Sequence, residues 1–256
     1  MKWYWFFYLI LFLKGLFANS LEIKKINIEN YPIEYYSYGK KNPVFLLVHG
    51  LGVDKNSFLK FAKTIAIDYQ YKILLPDIPG QGNTPKLREK NYSIEEMADF
   101  LYQFLQALKI KQVVIVGNSM GGHIATVFTL KYPRMVSYLI LISPSGIDNG
   151  KEKPYLPISL ENLQGEEKIK SLEWNNKIRE DIRNNSYYLL NPYLNKIKHP
   201  TILFWGKDDE IISYSNSAIW ATEIPNLKFY VFKGGHLLQK EKPKEIFRII
   251  QKEIFP

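Results

Sequence analysis

Val113-Val114-Ile115-Val116-Gly117-Asn118-Ser119-Met120-Gly121-Gly122 decides the fold. Four β-formers run into Gly-x-Ser-x-Gly, and a helical pattern continues from Ser119 to about Tyr132. The order is strand, sharp turn, helix, with a serine at the apex. Such a turn lifts the Ser119 hydroxyl out of the sheet, above the N-terminus of the next helix. It also forces the serine backbone into a strained conformation. Gly117 and Gly121 stand where a Cβ would crowd neighbouring backbone. The five-residue pattern alone recurs often by chance; the strand before it and the helix after it give it meaning here.

On either side of this segment the chain alternates strands and helices. Leu21–Ile28 and Ile33–Tyr38 alternate apolar and polar residues around Glu29-Asn30 and read as an antiparallel hairpin at a sheet edge. The next strands are short and continuously apolar: Val44–Val48, Lys72–Leu75, Gln112–Val116, Tyr138–Ile142, Thr201–Trp205 and Lys228–Phe232. Runs of this kind indicate strands buried on both faces, hence a parallel sheet between helices. Helices are expected near Ser57–Ala66, Ser93–Leu108, Ser119–Tyr132, Ser213–Thr222 and Pro243–Ile254. Ser93 followed by Glu95-Glu96 is a good helix start. The alternation implies a doubly wound α/β domain with a mostly parallel central sheet flanked by helices.

Between Ser143 and Pro200 there is no strong strand. Ile158–Leu163 and Glu166–Ile182 read as short amphipathic helices, among the aromatics Tyr155, Trp174, Tyr187, Tyr188 and Tyr193. The stretch 147–198 is long for an ordinary connection. It divides a core of residues 21–146 and 199–256, and its place at the C-terminal edge of the sheet puts it over the ligand crevice of such folds as a short helical lid.

The first twenty residues stand apart. After Met1-Lys2, Trp3–Leu13 is an unbroken apolar run of eleven, followed by Lys14, Ala18 and Ser20. Eleven residues fall short of the about 20 that a bilayer requires. The pattern fits an export signal cleaved near Ser20, with a retained anchor from Trp3 to Ala18 as the rival. Either reading places the mature protein in an exported, periplasmic or membrane-anchored setting. The chain of 256 residues contains no cysteine, which excludes disulfides, a thiolate nucleophile and a Cys-bound metal. Its formal net charge is +9, and losing Lys2 and Lys14 with residues 1–20 leaves +7. The lysines are scattered, with no basic helix interleaved with base-stacking aromatics, so nucleic acid is not an expected partner. Weak attraction to an anionic membrane surface is compatible with this charge. The sequence fixes no oligomeric state.

A serine becomes nucleophilic only when a neighbouring base takes its proton. The chain has four histidines. His236, in Lys233-Gly234-Gly235-His236-Leu237-Leu238, follows the last strand, where a loop can reach back to Ser119. His199 starts a strand on the opposite edge, His123 sits on the serine's own helix in a packing role, and His49 braces the loop His49-Gly50-Leu51-Gly52. The base needs an acid to fix its tautomer. Gly206-Lys207-Asp208-Asp209-Glu210 follows the strand ending at Trp205; Asp209 is chosen, with Asp208 as runner-up. An oxyanion needs preorganised N–H donors. Met120 N–H, at the helix N-terminus, and Leu51 N–H, between Gly50 and Gly52, are the candidates.

The order Ser119, Asp209, His236, with His49-Gly50 upstream, resembles the α/β-hydrolase superfamily from about Tyr31 to the end of the chain. Asp77-Ile78-Pro79-Gly80-Gln81-Gly82-Asn83-Thr84 is similar to a loop that is structural in that family, so Asp77 receives no chemistry. Trp205-Gly206-x-x-Asp209 and Gly235-His236-x-x-x-x-Glu241-x-Pro243 resemble its acid and histidine motifs. His49–Lys55, Gly117–Gly122 and Ser143–Gly146 resemble bacterial lipases and membrane-anchored monoacylglycerol lipases. The resemblance implies a serine hydrolase acting on carboxylic esters of hydrophobic acyl groups, monoacylglycerols among them, through an acyl-enzyme and without metal or organic cofactor. The alternative is hydrolysis of C–C bonds in meta-cleavage-type diketones. Those enzymes share Gly-Asn-Ser-Met-Gly-Gly but carry a Trp after the histidine, where this chain has Leu237. An Asp at the nucleophile position would imply an epoxide hydrolase or haloalkane dehalogenase; Ser119 excludes both.

Overall fold

A computed structural model describes residues 21–255 apart from Asn30, Glu152 and Ser186; the signal or anchor read from residues 1–20 lies outside the described residues. Eight strands form one sheet: β1 (Glu22–Ile28), β2 (Tyr31–Tyr38), β3 (Lys41–Val48), β4 (Tyr71–Pro76), β5 (Val113–Asn118), β6 (Val136–Ile142), β7 (Thr201–Gly206) and β8 (Leu227–Phe232). Their order is β1-β2-β4-β3-β5-β6-β7-β8. β1 and β2 form the expected edge hairpin, β2 pairs antiparallel with β4, and every later pairing is parallel.

The apolar runs place alternate residues on opposite faces of the pleat. Leu46, Val48, Ile115, Leu139, Leu141 and Leu203 belong to one hydrophobic cluster. Their neighbours Phe45, Leu47, Val114, Val116, Ile140 and Ile202 belong to the other. Each face is closed by helices. α1 (Leu59–Tyr69) and α7 (Pro243–Ile254) cover one with Phe61, Ile65, Ile246 and Phe247. α2 (Ile94–Ala107), α3 (Met120–Lys131) and α5 (Ser217–Glu223) cover the other with Leu101, Phe104, Ile124, Phe128 and Trp220. α4 (Glu166–Arg183) lies in the long connection from β6 to β7, and α6 (Leu238–Glu241) is a single turn before α7. Ser93 caps α2 by accepting the Glu96 N–H at 3.2 Å, the start its sequence announces.

Three expectations need correction. Ile158–Leu163 is not helical; among the described residues the connection contributes one α-helix, α4, and a 3₁₀ turn at Leu194–Lys196. The Asn176 side chain accepts from the Ile158 N–H at 3.0 Å and donates to the Ile158 carbonyl at 2.8 Å. Both backbone groups are thereby held by one amide and are unavailable to a helical ladder. The segment expected as one helix over Ser213–Thr222 is a 3₁₀ turn, Tyr214–Asn216, followed by α5. Ser213 caps that turn. Finally, β8 is an edge strand and largely half-buried rather than buried on both faces, because no strand lies beyond it.

Candidate active site

Ser119 sits between β5 and α3 with φ 56° and ψ −125°. A non-glycine residue holds such a conformation only where the surroundings over-determine it. Here the Ser119 N–H donates to the Ile142 carbonyl at 3.1 Å. The Ser119 carbonyl accepts from Gly122, His123 and Ser145 N–H groups at 2.9–3.2 Å. The flanking glycines are compulsory. A Cβ on Gly117 would lie 2.2 Å from the Gly121 carbonyl oxygen, and one on Gly121 would lie 2.0 Å from that of Val48. The turn therefore packs backbone against backbone, and the β3 loop closes over it. A Cβ on Gly50 would meet the Ser119 Cβ at 3.1 Å.

Asp209 and His236 come from loops after β7 and β8. Gly206 allows their approach, since a Cβ there would lie 2.3 Å from the Gly234 carbonyl oxygen. His236 Nδ1 donates to Asp209 Oδ2 at 2.8 Å. The other carboxylate oxygen accepts from the Ile211 and Ile212 N–H groups, both at 2.9 Å. Burial acts to raise the Asp209 carboxyl. The hydrogen bond from His236, its positive charge when the ring is protonated, and the Ile212 N–H outweigh it and hold the group below its ordinary value. Asp209 is therefore an ionised acceptor. The proton rests on His236 Nδ1 and Nε2 is left as the basic nitrogen. Asp208 makes no such contact; its N–H donates to the Gly234 carbonyl and fastens the two loops together.

Ser119, His236, Gly50, Leu51 and Met120 line one cleft of about 920 Å³. Met120 opens α3, and the first N–H groups of a helix have no intrahelical partner. The loop holding Leu51 is braced from below. Gln81 Oε1 accepts from the Gly52 N–H at 2.8 Å. His49 Nε2 accepts from the Ile78 N–H at 3.0 Å, which leaves the proton on Nδ1 to be donated to the Gly50 carbonyl at 2.9 Å. His49 is thus a neutral brace although Asp77 Oδ1 lies 3.9 Å away; burial pulls its pKa down. Asp77 accepts from Lys55 N and Nζ, both at 2.8 Å, and from Asn83 N at 3.0 Å. Lys55 Nζ also reaches Glu34 at 2.7 Å.

The remaining histidines are engaged elsewhere. His199 Nε2 bonds the Pro133 carbonyl at 2.9 Å, at the far end of the sheet. His123 is buried. Its Nε2 donates to the Tyr187 carbonyl at 2.8 Å and its Nδ1 accepts from the Tyr155 hydroxyl at 3.0 Å. Burial pulls its pKa down to about 3. Tyr155 in turn accepts from the Ser145 hydroxyl. This chain ties the β6–β7 connection to α3.

Asn118 and Gln239 escaped sequence reasoning. Asn118 Nδ2 donates to the carbonyls of Ile142 and His236, each at 3.0 Å, and its Oδ1 accepts from Gln239 at 3.0 Å. One amide thus holds the serine turn, the end of β6 and the histidine loop together. The only sequence signal was an Asn beside the serine, which has no meaning until the histidine loop is in place.

The remaining walls of the cleft are mostly apolar. Pro154, Tyr155, Leu156 and Ile158 come from the connection, and Ile211 and Ile212 from the Asp209 loop. The family model of the alpha/beta hydrolase fold matches residues 43–185 and 166–243. Monoacylglycerol lipase ABHD6 of Homo sapiens is 26% identical over 277 residues, covering 90% of this chain and 81% of that protein. A 2-hydroxy-6-oxononadienedioate/2-hydroxy-6-oxononatrienedioate hydrolase of Paraburkholderia phymatum is 27% identical, covering 82% of this chain and 86% of that protein. Among solved structures, a bacterial membrane phospholipase A superposes with a TM-score of 0.80 at 25% identity, covering 96% of this chain and 90% of that one.

Proposed function

The chain belongs to the α/β-hydrolase-fold family, and from that premise we propose that it is a serine hydrolase that cleaves carboxylic esters of hydrophobic acyl groups, monoacylglycerols among them. The observation that carries this reading is the 2.8 Å bond from His236 Nδ1 to the ionised Asp209, on the cleft that Ser119 also lines. In this mechanism His236 Nε2 takes the Ser119 proton as Oγ attacks the ester carbonyl. The tetrahedral oxyanion is received by the N–H groups of Met120 and Leu51. On collapse the C–O bond breaks, and His236 gives its proton to the leaving alkoxide. Water then attacks the acyl-enzyme with the same proton path, releasing the acid and restoring Ser119. Asp209 keeps the tautomer and steadies the imidazolium throughout. No step calls on a metal or organic cofactor.

The lipase and phospholipase relatives support a hydrophobic ester. So do the apolar side chains at the mouth: Leu156 is 53%, Ile158 49% and Ile211 72% exposed. An apolar rim of this kind favours contact with an aggregated lipid or membrane surface. In this reading the stretch 147–198 is the lid, and residues 1–20 export or anchor the protein. Among the described residues no helix is long and apolar enough to cross a membrane.

Ser119→Ala tests the proposal. Hydrolysis of p-nitrophenyl esters and labelling by a fluorophosphonate should both vanish, a loss of at least about 10⁴-fold, while the circular dichroism and melting temperature stay those of the parent. Retained turnover in the folded variant sinks it. A second reading, hydrolysis of a C–C bond in a vinylogous diketone, is favoured by the Paraburkholderia phymatum relative. It would use the same three side chains; turnover of such a diketone with none of any ester would select it.

A further inference from the structure

Among the described residues, Arg179 is the cation of this cleft that has a solvent-shielded nitrogen without a hydrogen-bond partner. It lies on α4, whose Trp174, Ile178 and Ile182 are buried. The Trp174 indole donates to the Gly80 carbonyl at 2.6 Å and anchors the helix to the core. Arg179 faces the cleft beside Tyr155, Leu156 and Ile158. It is only half-buried as a residue, yet its Nη1 is shielded from solvent and has no hydrogen-bond partner among the described residues. None of the ion pairs found among those residues includes it. Of the other cations of α4, Lys170 pairs with Glu166 and Lys177 with Asp181; Arg183, one turn on, also has a shielded Nε without a hydrogen-bond partner, but it does not line the cleft.

A guanidinium carries five N–H donors and no acceptor. Withdrawing such a charge from water without a partner is costly. Burial accordingly depresses the Arg179 pKa, with the neighbouring Tyr155 opposing that shift. A folded chain tolerates this arrangement where an incoming group completes it. The charges around the cleft indicate the sign of that group. Lys151 and Lys153 line the same cleft and, like Arg179, belong to the connection. The acids that line the cleft, Glu210 and Glu241, belong to other segments, the loop of Asp209 and the end of α6. Glu241 is already engaged by the Gly235 N–H at 3.0 Å.

We propose that the ester cleaved here carries an oxyanion group, carboxylate or phosphate, and that Arg179 is its receptor, with Lys151 and Lys153 at the mouth drawing it in. This rests on the ester-hydrolase reading and narrows it from hydrophobic esters in general to anionic amphiphiles. The planar fork suits either group, since both offer two oxygens to parallel N–H donors. Arg179 is distinct from the reacting atoms: it orients the substrate and sets which ester is preferred.

The test uses the full chain and acyl-matched substrates below their aggregation concentrations. One pair sets a monoacylglycerol against the lysophosphatidic acid with the same acyl chain. The other sets a dimethyl ester of a dicarboxylic acid against its monomethyl ester. The first pair reads phosphate on the alcohol side and the second carboxylate on the acyl side. In at least one pair the anionic member should show a kcat/KM about tenfold above its neutral partner, carried mainly by KM. Arg179→Gln should cost the anionic member about tenfold more than the neutral one, and Arg179→Lys should recover part of that loss. Inhibition of the parent enzyme by an alkyl phosphate, compared with the alkyl alcohol of equal length, reads the same site should Arg179→Gln fold poorly. Equal or better turnover of the neutral members, with no preference for the phosphate inhibitor, overturns the inference alone. Absence of all ester turnover together with absence of fluorophosphonate labelling overturns the ester reading and the inference with it.

Discussion

The two walls of the cleft are built by different means. The wall that carries Ser119, Asp209 and His236 is made of backbone packed on backbone. Gly117, Gly121 and Gly206 each sit where a Cβ would come within 2.0–2.3 Å of a carbonyl oxygen. The opposite wall, from the β6–β7 connection, is attached through side chains. Tyr155 bonds His123, Trp174 bonds Gly80 and Asn176 holds Ile158. Contacts of the first kind admit one geometry and few residues. Those of the second kind can be exchanged singly. In the proposed hydrolase, reaction chemistry would belong with the first wall and substrate choice with the second, because a misplaced base loses the reaction whereas a changed pocket redirects it.

The sharpest way to break this contrast is at the acid. Asp209→Asn removes the charge that fixes the His236 tautomer while keeping the shape, and kcat should fall by about 10⁴-fold. Asp208→Asn, one residue away on the same loop, should leave kcat near that of the parent, because Asp208 contributes a backbone contact. Ester turnover in the two variants decides the matter; similar losses in both would mean that the loop, and not the single carboxylate, sets the histidine.

The next largest effect is on stability. Lys55 lies beneath the Leu51 loop and joins Asp77 and Glu34. Burial acts to lower its pKa, but bonds to the two carboxylates outweigh this and raise it. Lys55→Met strands the buried Asp77 carboxylate, and unfolding free energy should fall by about 3–5 kcal/mol. Urea midpoints at constant m-value give the number. A fall below about 1 kcal/mol would mean the ion cluster behaves like a surface pair and that the rigid wall needs no charge beneath it.

These differences also explain what could be read from the sequence. The apolar runs of β3 to β7 announce themselves because burial on both faces confines the polar residues to the ends of each strand, as with Lys41, Lys72 and Thr201. The Gly-x-Ser-x-Gly turn is legible because its constraint is local: five residues of chain contain both the strain and the glycines that allow the close packing around it. Asp209 and His236 could be assigned to adjacent loops by their order after β7 and β8, but their 2.8 Å contact could not. Asn118 shows the limit well. Its neighbours Ile142, His236 and Gln239 are 24, 118 and 121 residues away, and no pattern near residue 118 encodes them. The connection was the least legible part. Ile158–Leu163 has helical spacing, yet an amide eighteen residues later takes its backbone. Arg179 has the same difficulty, since an arginine on an amphipathic helix looks solvated until the cleft around it is formed.

The seam between the two walls offers the gentlest test. His123 is buried and neutral, with its pKa pulled down to about 3 by burial against an unfolded value near 6.5. As the pH falls below about 6.5 the unfolded chain takes up a proton that the folded chain refuses. Stability is therefore greatest above that pH and declines down to about pH 3, by up to about 1.4 kcal/mol per pH unit from this residue. His49, also buried with its pKa lowered, acts in the same direction from the rigid wall. The two are separable. His123→Gln should melt lower than the parent at pH 7, because it loses the pairing with Tyr155 and the Tyr187 carbonyl. Its melting temperature should then fall less steeply between pH 7 and pH 5, since one of the two reluctant bases has gone. An unchanged slope would assign the acid sensitivity to His49 and the rigid wall, leaving the seam indifferent to protons.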